Sequence, residues 1–409
     1  MLNLPLVRAR IVEQRGVWME ELAELRQVDP FQALVSEILP LLDAMRWLEK
    51  RGAQVLRPQA PSWRDAPAWM LGHKLVIHRR PHGKVLVVGP GNYPLFLPGV
   101  QALQAVVAGN TVMIKPQRGA EAPMRRLVRL LHDCGLPGAS LELLESDTQA
   151  VYASLEAGAD LVVLTGSLET GQKLLPVCAQ KPVPTIAELS GHDLVVLGPD
   201  ADVAVALGAL NWSRQLNHGN TCMCPKRVWS ALPLGQEVDV PVTRYQDFTQ
   251  LTEWLGQERH GLGISLFGGP NWVDQVLPHC RSGFVTVNDI IAPTADPRAP
   301  FGGRGLSGFG VTRGAEGLLA MTYPQAVFTN RGPRFHLWPP SGRELALMQA
   351  YTDWSHGRGW RRIKAGMAMG WAWGRLVLRL ARRPGGVKPI WSETSEWRSV
   401  CVSGFDGRI

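Results

Sequence analysis

Short apolar runs alternate with amphipathic stretches along most of this chain, and that rhythm limits the possible folds more than any other feature. It begins at Lys84 with the run KVLVVGP, and ADLVVLTGS (159–167) repeats the form. Short, continuously apolar runs are typical of strands buried on both faces of a parallel sheet. Strands that alternate with helices therefore predict an α/β fold, in which an open, doubly wound sheet carries helices on both faces.

The same patterns assign elements along the first 330 residues. Helices are predicted within 1–52 and at 97–107, 122–133, 170–180 and 203–216, and an irregular, Pro-rich segment at 55–69. Strands are predicted at 74–80, 84–90, 111–116, 141–146, 159–167, 185–189, 193–198, 242–245, 264–267, 283–288 and 325–330.

Charge is distributed unevenly along the 409 residues. The formal net charge is +8, yet residues 331–409 hold 14 Lys and Arg against 5 Asp and Glu. The preceding 330 residues are therefore almost neutral, which argues against nucleic acid as a partner because that would require a basic face. The last 79 residues also hold 7 of the 15 tryptophans, so this basic, Trp-rich tail requires an explanation of its own.

Cysteine usage and hydropathy bear on the compartment. Six scattered cysteines in a chain of this length do not form a disulfide framework. The N-terminal residues lack the apolar segment of a secretory signal, and no run of about 18 uncharged apolar residues predicts a membrane-spanning helix. We therefore expect a reducing, cytoplasmic location.

Three glycine-bearing loops each follow a predicted strand and precede a helix: GPGNYP (89–94), KPQRG (115–119) and TGSLETG (165–171). Backbone N–H groups in such turns and at helix starts bind phosphates and other anions. The alternative is that the glycines serve only to make tight turns. In a doubly wound sheet, ligands bind at the carboxyl ends of the strands, where these loops lie.

Three side chains are candidates for chemistry. Cys222, among small and polar residues in NHGNTCMCP, has the setting of a thiolate nucleophile, although free cysteines are commonly packing residues. Glu188 ends a predicted strand and is a candidate general base, with a solvated or ion-paired role as the alternative. Asn92 can donate its amide to an oxyanion or simply form a turn.

A metal site is a further alternative for part of this region. His218, Cys222 and Cys224 have the spacing H-x3-C-x-C. A structural zinc site needs a fourth ligand with matching spacing, and no such partner stands nearby, so we expect no metal. We expect Cys224 to be a packing neighbour of the nucleophile.

Seven segments, in chain order from about Lys74 to about Asn330, resemble motifs of the aldehyde dehydrogenase superfamily. They are VVGPGNYP, AGNTVMIKP, LTGSLETG, AELSG, LNHGNTCMCPKRV, GFVTVND and PFGGRGLSGFG. The resemblance implies a Rossmann-like cofactor domain, an α/β catalytic domain and, here, an added helical C-terminal extension. It places the cofactor and catalytic domains at 1–189 and 190–310, with an oligomerisation strand at 74–82. A return segment and bridging strand follow at 311–330, and the tail at 331–409.

The resemblance also implies a reaction. Cys222 would be the nucleophile, Glu188 the general base, and Asn92 and the backbone N–H of Cys222 the oxyanion donors. The thiolate would add to an aldehyde, hydride would leave for the nicotinamide, and Glu188 would activate water to release a carboxylic acid. The residues expected to bind the cofactor are Lys115, Arg118, Gly166, Ser167, Pro90 and Gly91.

The sequence departs from the family pattern at several positions. Ser190 replaces a glycine and Asn220 a glutamine, while Arg118 stands where the family commonly has an acidic residue that binds the adenine ribose. An arginine can pair with a 2′-phosphate, so between NAD and NADP the sequence leans to NADP. The N-terminal part and the segment after Cys222 are short, and EVDVPV (237–242) is at best a remnant of the motif that holds the nicotinamide ribose. Glu237 is therefore not assigned to that role.

The tail is predicted to contain helices at 343–354 and 360–383. On the second helix one face carries basic residues (Arg361, Lys364, Arg375, Arg379 and Arg382). The adjoining face is apolar (Trp360, Ile363, Met367, Trp371, Val377 and Leu378). A basic amphipathic helix suits an anionic membrane surface, which makes 343–383 a candidate membrane contact at the inner face. Gly366, Gly370 and Gly374 instead favour close packing on the protein itself or on a partner.

Three functions are compatible with these patterns. The first is NAD(P)-dependent oxidation of a hydrophobic aldehyde by a homodimer, because 74–80 and 325–330 resemble subunit-bridging strands. The second is an acylating enzyme or acyl-CoA reductase, against which Glu188 argues. The third is a non-catalytic scaffold that binds a membrane or a partner.

Overall fold

The computed structural model describes residues 2–67, 70, 72–235, 239–330 and 343–380. The chain divides into two compact units. The larger contains the described residues up to Pro61 together with those of Leu75–Val327, and the smaller contains the described residues of Ser62–Lys74 and those from Phe328 to Leu380.

The larger unit begins with helices and then alternates strands with helices. The first half contains helices α1 (Leu4–Glu13), α2 (Arg15–Arg26), α3 (Pro30–Ala33), α4 (Leu39–Val55), α5 (Phe96–Val107), α6 (Glu121–Asp133), α7 (Thr148–Glu156) and α8 (Leu168–Gln180). Its strands are β1 (His73–Pro81), β2 (Lys84–Val88), β3 (Thr111–Lys115), β4 (Leu141–Leu143), β5 (Leu161–Thr165) and β6 (Thr185–Glu188). The second half contains β7 (Leu194–Leu197), α9 (Val203–Gln215), β8 (Arg227–Ser230), β9 (Val242–Arg244), α10 (Phe248–Gln257), β10 (Gly263–Phe267), α11 (Pro270–Val276), β11 (Phe284–Val287), β12 (Gly308–Phe309), α12 (Gly314–Ala320) and β13 (Thr322–Asn330).

The first large sheet has six strands in the order β12-β6-β5-β2-β3-β4. Its pairs are parallel except for β12, which runs antiparallel to β6 with Gly308 opposite Glu188. The chain order reverses between β2 and β5, so the loops after these two strands diverge at the carboxyl edge and leave a crevice there. This is where the loops at 89–94 and 165–171 lie.

The side chains of β2 explain why this sheet is covered on both faces. Val85 and Val87 belong to a core shared with the N-terminal helices, whereas Leu86 and Val88 belong to a second core with residues of α7 and α8. Successive side chains of a strand point to opposite faces, so a continuously apolar strand needs a core on each side. The predicted doubly wound α/β fold is confirmed.

The second large sheet has five parallel strands in the order β11-β10-β7-β8-β9. Strand β7 is built like β2, since Val195 and Leu197 lie in one core and Leu194 and Val196 in another. The sequence pattern treats β6 and β7 as successive strands, but the five residues after Glu188 lead the chain from one sheet into the other. Strands β1 and β13 form a separate two-stranded sheet.

Several elements differ from the prediction. The sequence reading missed β8, α7, α10, α11 and α12, and it made the strand at 141–146 too long, since β4 ends at Leu143. Helix α12 is rich in glycine and alanine, which weakens both the helical propensity and the apolar periodicity on which the reading depends. Helices α10 and α11 lie between short strands that were predicted at the correct places.

The smaller unit contains helices α13 (Arg343–His356) and α14 (Trp360–Leu380). Ala365 is buried, and a Cβ added at Gly366 would lie 3.0 Å from the Trp354 ring, so this side of α14 packs on α13. Trp360, Ile363 and Met367 are 72%, 55% and 61% exposed. Within the described ranges, no helix combines the length and apolar character needed to cross a membrane.

Candidate active site

A cavity of about 490 Å³ opens at the carboxyl edge of the first sheet, beside the segment that carries Cys222. Nearly all of the predicted site residues line it: Cys222, Glu188, Asn92, Lys115, Gly166, Ser167, Pro90 and Gly91. Residues from positions 90 to 222 are thus brought to one place because the carboxyl ends of parallel strands meet at one edge. Arg118 is exposed and does not line the cavity.

Cys222 lies half-buried on the wall of this cavity. Burial raises the pKa of its thiol to about 12, and the negative charges of Asp193 and Glu188 act in the same direction. The charge of Arg313 opposes them and favours the thiolate. The thiolate is the nucleophilic form, so the reactivity of Cys222 depends on the balance of these charges.

The loop that carries Cys222 is held at several points. Asn217 and His218 both adopt left-handed backbone conformations, with φ of 51° and 53°. Asn217 donates from its amide to the carbonyl oxygen of Asn92 at 3.1 Å. In return, Asn92 donates to the carbonyl oxygen of Asn220 at 2.9 Å, so the two predicted catalytic loops are joined directly.

A second tie joins these loops through a tyrosine. The hydroxyl of Tyr93 lies 2.6 Å from that of Thr221, directly before Cys222, and both residues are buried. The guanidinium of Arg26, from helix α2, lies 4.6 Å from the centre of the Tyr93 ring. Helix α2 therefore contacts the loop that carries Tyr93 and, through it, supports the Cys222 loop.

Glu188 is 4% exposed at the end of β6. Burial raises its pKa, while a hydrogen bond donated by the Thr312 hydroxyl, the charge of Arg313 and a hydrogen bond with Thr165 lower it. A carboxyl group whose pKa is shifted upward is a better base near neutral pH than an ordinary carboxylate. Its position on the cavity wall gives it access to water or to a bound substrate.

The far part of the cavity suits a dinucleotide. The Lys115 side chain is largely buried, and burial, followed by the charge of nearby Arg118, lowers its pKa. Ser167 caps the 13-residue helix α8 by accepting a hydrogen bond from the N–H of Thr170 at 3.1 Å. The first N–H groups of a helix have no partners within it, so this end can bind a diphosphate, while Lys115 can bind ribose hydroxyls. The residues present therefore fit the predicted cofactor, NAD or NADP.

The remaining polar candidates have other partners. Cys224 is 1% exposed and does not line the cavity, which agrees with a packing role. The ring of His218 lies 2.6 Å from the carbonyl oxygen of Gln27. In the part of the chain that the structure describes, no group of three or more His, Cys, Asp or Glu side chains is arranged to hold a metal. Glu237 lies outside the described residues.

Arg313 and Thr312 were missed by the sequence reading, as was the pair of Tyr93 and Thr221. Arg313 is 6% exposed and interacts electrostatically with both Cys222 and Glu188. The only signal in the sequence is its place three residues after the Gly-rich segment 300–310. Its neighbours Phe96 and Gln104 lie more than 200 residues earlier, so local pattern cannot reveal them.

Comparison with known proteins identifies the family. The model of the aldehyde dehydrogenase family matches residues 7–230 and 240–327, which is most of the chain. The chain belongs to this family, whose members oxidise aldehydes with NAD or NADP.

Curated relatives include two proteins named for related aldehydes. The 4,4'-diapolycopene aldehyde oxidase of a Methylomonas species is 27% identical over 410 residues, which cover 80% of this chain and 77% of the relative. The 4,4'-diapolycopene-4,4'-dial dehydrogenase of Cytobacillus firmus is 26% identical over 327 residues, covering 60% of this chain and 71% of the relative.

A solved structure confirms the fold. The chain is similar to Staphylococcus aureus AldH in its substrate-bound state, with a TM-score of 0.75 and 19% identity. The match covers 85% of this chain and 93% of that one. The predicted aldehyde dehydrogenase-like fold and family membership are both confirmed.

Proposed function

We propose that this protein oxidises a hydrophobic aldehyde to the carboxylic acid through a thioester on Cys222, with NAD or NADP as hydride acceptor. The observation that carries the proposal is that Cys222, Glu188 and Asn92 line one cavity with the dinucleotide-binding candidates Lys115 and Ser167. A nucleophile, a base and an oxyanion donor beside a cofactor cleft are what aldehyde oxidation through a covalent intermediate requires.

Each of the three candidate catalytic side chains has a separate role in this reaction. The Cys222 thiolate adds to the aldehyde carbon, and the Asn92 amide, together with the backbone N–H of Cys222, stabilises the resulting oxyanion. The bound nicotinamide supplies the hydride acceptor for the oxidation. Glu188 then takes a proton from water, which attacks the thioester and releases the acid. The buried Glu188 favours hydrolysis over transfer to coenzyme A.

The decisive experiment is a steady-state assay of an aldehyde panel with NAD and NADP, comparing wild type with Cys222→Ala and Cys224→Ala. We expect Cys222→Ala to lose at least about a thousandfold in kcat/KM, since no other group replaces a covalent nucleophile. Cys224→Ala is the matched control and should remain active. Equal rates for wild type and Cys222→Ala would rule out this nucleophile, and acid formation that requires coenzyme A would favour the acylating alternative.

The hydrophobic substrate class is supported by the printed names of two relatives. The curated relatives named above act, by their names, on 4,4'-diapolycopene aldehydes. The small cavity beside Arg313, of about 10 Å³, is lined mostly by apolar side chains of α4 and α5 (Pro40, Ala44, Trp47, Leu48, Phe96 and Val100), but it has room for no more than about one water molecule and does not bind the aldehyde. From the names of the relatives we expect kcat/KM to rise with aldehyde chain length, and a preference for charged, short aldehydes would contradict this.

For the cofactor we retain NADP as the favoured form. Arg118 is exposed and close enough to Lys115 to lower the pKa of that ammonium group, so it lies near the end of the cavity where the adenine ribose would bind. Arg118→Glu should lower the preference for NADP over NAD by about tenfold or more, because a bidentate partner of the 2′-phosphate is replaced by a like charge. A preference unchanged by this substitution would contradict the role of Arg118.

The domain roles predicted above are part of the proposal: residues 1–189 bind the cofactor, 190–310 carry catalysis, and 74–82 with 311–330 bridge subunits. Strand β13 supports a homodimer because Tyr323 and Val327 on it are 44% and 37% exposed. Tyr323→Glu with Val327→Glu should shift the mass measured by light scattering to that of a monomer. A monomeric wild type would contradict the dimer.

We further propose that the tail holds the enzyme at an anionic membrane surface on the cytoplasmic side. The apolar side chains of Trp360, Ile363 and Met367 are exposed on α14, close in sequence to Arg361 and Lys364. Apolar and basic side chains together match an anionic interface. The C-terminal residues of the predicted contact, 381–383, lie outside the described part of the chain.

Co-sedimentation of the full chain with phosphatidylglycerol vesicles tests this membrane contact. Ile363→Ser with Met367→Ser should reduce pelleting, whereas Gln349→Ala on α13 serves as the control. Vesicles of phosphatidylcholine alone should bind more weakly because they lack net charge. Equal pelleting of all variants with both vesicles would overturn the proposal.

A further inference from the structure

Arg313 has surroundings that are unusual for an arginine in a protein interior. It is 6% exposed, and its Nε atom is buried with no hydrogen-bond partner among the described residues. One guanidinium Nη atom donates to the carbonyl oxygen of Thr294, which is a neutral group. Within the described ranges, no carboxylate lies close enough to Arg313 to form an ion pair. Burying a charge is costly unless opposite charge is near.

Two aromatic rings hold the guanidinium from the sides. Its carbon lies 4.1 Å from the ring centre of Phe301 and 5.6 Å from that of Phe96. Phe301 lines the cavity that contains Cys222, whereas Phe96 lines the small apolar cavity. Arg313 therefore stands in the wall between the two cavities, and the faces of the rings attract its positive charge.

The backbone at Arg313 is fixed in a conformation that side chains rarely adopt, with φ of 58°. Gln104, a buried residue of α5, accepts from the N–H of Arg313 at 3.0 Å and donates to the carbonyl oxygen of Gly314 at 3.2 Å. A strained residue persists only when its surroundings fix it from several sides. Gln104 thus fixes the backbone from which the guanidinium extends.

The preceding residue connects this segment to the base. Thr312 donates its hydroxyl to the carboxylate of Glu188, and strand β12, just before it, pairs Gly308 with Glu188. A fixed cation therefore follows directly after the residue that contacts the candidate base. The charges of Glu188 and Cys222 act on Arg313 in return.

We propose that Arg313 is a positioning residue whose fixed positive charge stabilises the thiolate form of Cys222 and the carboxylate form of Glu188. This inference rests on the proposed function and deepens it. The other charges that face Cys222 are Asp193 and Glu188, both of which disfavour the thiolate, and Lys226 lines the same cavity. Arg313 is a buried cation whose charge opposes those two carboxylates at Cys222, while Lys115 also lines the cavity.

Alkylation of Cys222 tests the inference without aldehyde or cofactor. The rate of modification by iodoacetamide is followed from pH 6 to 11 by mass spectrometry of the peptide that contains Cys222. Arg313→Gln should slow the reaction about tenfold at every pH in this range, which corresponds to a rise of about one unit in the pKa of the thiol. Arg313→Lys, which keeps the charge, should stay close to wild type, and Arg298→Gln removes an exposed arginine as the control.

A second pair of variants covers the case in which Arg313→Gln does not fold. Glu188→Gln is compared with the double variant Glu188→Gln, Arg313→Gln, in which the carboxylate of Glu188 is absent and cannot be left without its counter-charge. The double variant should again show the higher thiol pKa by about one unit. Identical pH profiles within this pair, or equal effects of Gln and Lys at position 313, would overturn the inference.

The outcome separates the inference from the proposed function. A shifted alkylation profile together with no aldehyde oxidation would leave Arg313 as the charge partner of Cys222 and remove the dehydrogenase proposal. Normal aldehyde oxidation together with an unchanged alkylation profile would support the dehydrogenase proposal and remove the role of Arg313.

Discussion

Among single residues, Glu188 imposes the clearest pH requirement on the proposed reaction. It must be ionised to accept a proton from water, and burial raises its pKa above the usual value of 4.5. The rate of thioester hydrolysis should therefore fall as the pH drops through this raised pKa, at a higher pH than for an exposed carboxylate. Measurement of kcat against pH checks the position of this acidic limb.

Substitution of Glu188 separates the two halves of the reaction. Glu188→Gln should still form the thioester, so a burst of about one reduced cofactor per site is expected, but turnover should fall by about 10²–10⁴-fold. Stopped-flow absorbance at 340 nm measures both phases. The control is Glu169→Gln, at an exposed position of α8. Wild-type turnover by Glu188→Gln would show that another group activates water.

The family motif tolerates a serine at position 190, but the next position, Gly191, requires a glycine. A Cβ at Gly191 would overlap the carbonyl oxygen of Cys222 and the carboxyl group of Asp193. Gly191→Ala should therefore displace the Cys222 loop, at a cost of about 1–3 kcal/mol in the free energy of unfolding. Alkylation of Cys222 should change as well.

Ser190 provides the matched control for Gly191. It is exposed, and its carbonyl oxygen, a main-chain group, accepts the hydrogen bond from Ser307 at 3.1 Å. Ser190→Ala should therefore change the free energy of unfolding by no more than about 0.5 kcal/mol. Denaturant titrations of both variants make the comparison, and equal effects would contradict the steric argument.

Among the elements, helix α5 depends on a buried ion pair from the N-terminal helices. Glu37 accepts hydrogen bonds from the N–H groups of Leu95 and Phe96, at 3.2 and 2.6 Å, and lies 3.6 Å from Arg26. Glu37→Ala should cost about 3–5 kcal/mol because Arg26 loses its counter-charge in the interior. Glu49→Ala, which breaks a half-buried pair with Arg8, should cost about 1 kcal/mol or less.

Stability should also depend on pH through Glu37. Burial raises its pKa from 4.5 to about 7, so the folded state binds this proton more tightly than the unfolded chain does. The resulting stability is complete below the unfolded pKa and is lost as the pH rises through the folded value. The free energy of unfolding of wild type relative to Glu37→Gln should therefore fall between pH 4.5 and 7. A difference that stays constant over this range would contradict the shifted pKa.

The pattern of apolar residues along the sequence predicted the strands that are buried on both faces. Strands β2, β5 and β7 are buried on both faces, so apolar runs reveal them and, with them, the edge where the loops of the site meet. Strand β8, in contrast, contains Arg227 with a half-buried side chain, and its run is too short to stand out. Cys222, Glu188 and Asn92 were predicted because each lies in a motif, whereas Arg313 depends on Phe96, Gln104 and Glu188, whose proximity arises only from the packed sheets.

At the scale of the whole molecule, the charge is partitioned between the nearly neutral first 330 residues and the basic tail, and the site lies within the larger unit. The cavity with its nucleophile is built entirely from residues of that unit. Exposed apolar side chains of α14 belong to the smaller unit. The proposed chemistry and the proposed membrane contact therefore belong to different parts of the chain, and they should respond separately to substitution.

This separation predicts a selective effect on substrates held in a membrane. In the full chain, Ile363→Ser with Met367→Ser should lower kcat/KM at least about tenfold for a long-chain aldehyde carried in phosphatidylglycerol vesicles, because burying two such side chains is worth several kcal/mol. The value for a short, water-soluble aldehyde should not change, since neither residue lines the cavity. Gln349→Ala should leave both values unchanged. An equal loss with both substrates would show that the tail acts on the site itself and not on attachment to the membrane.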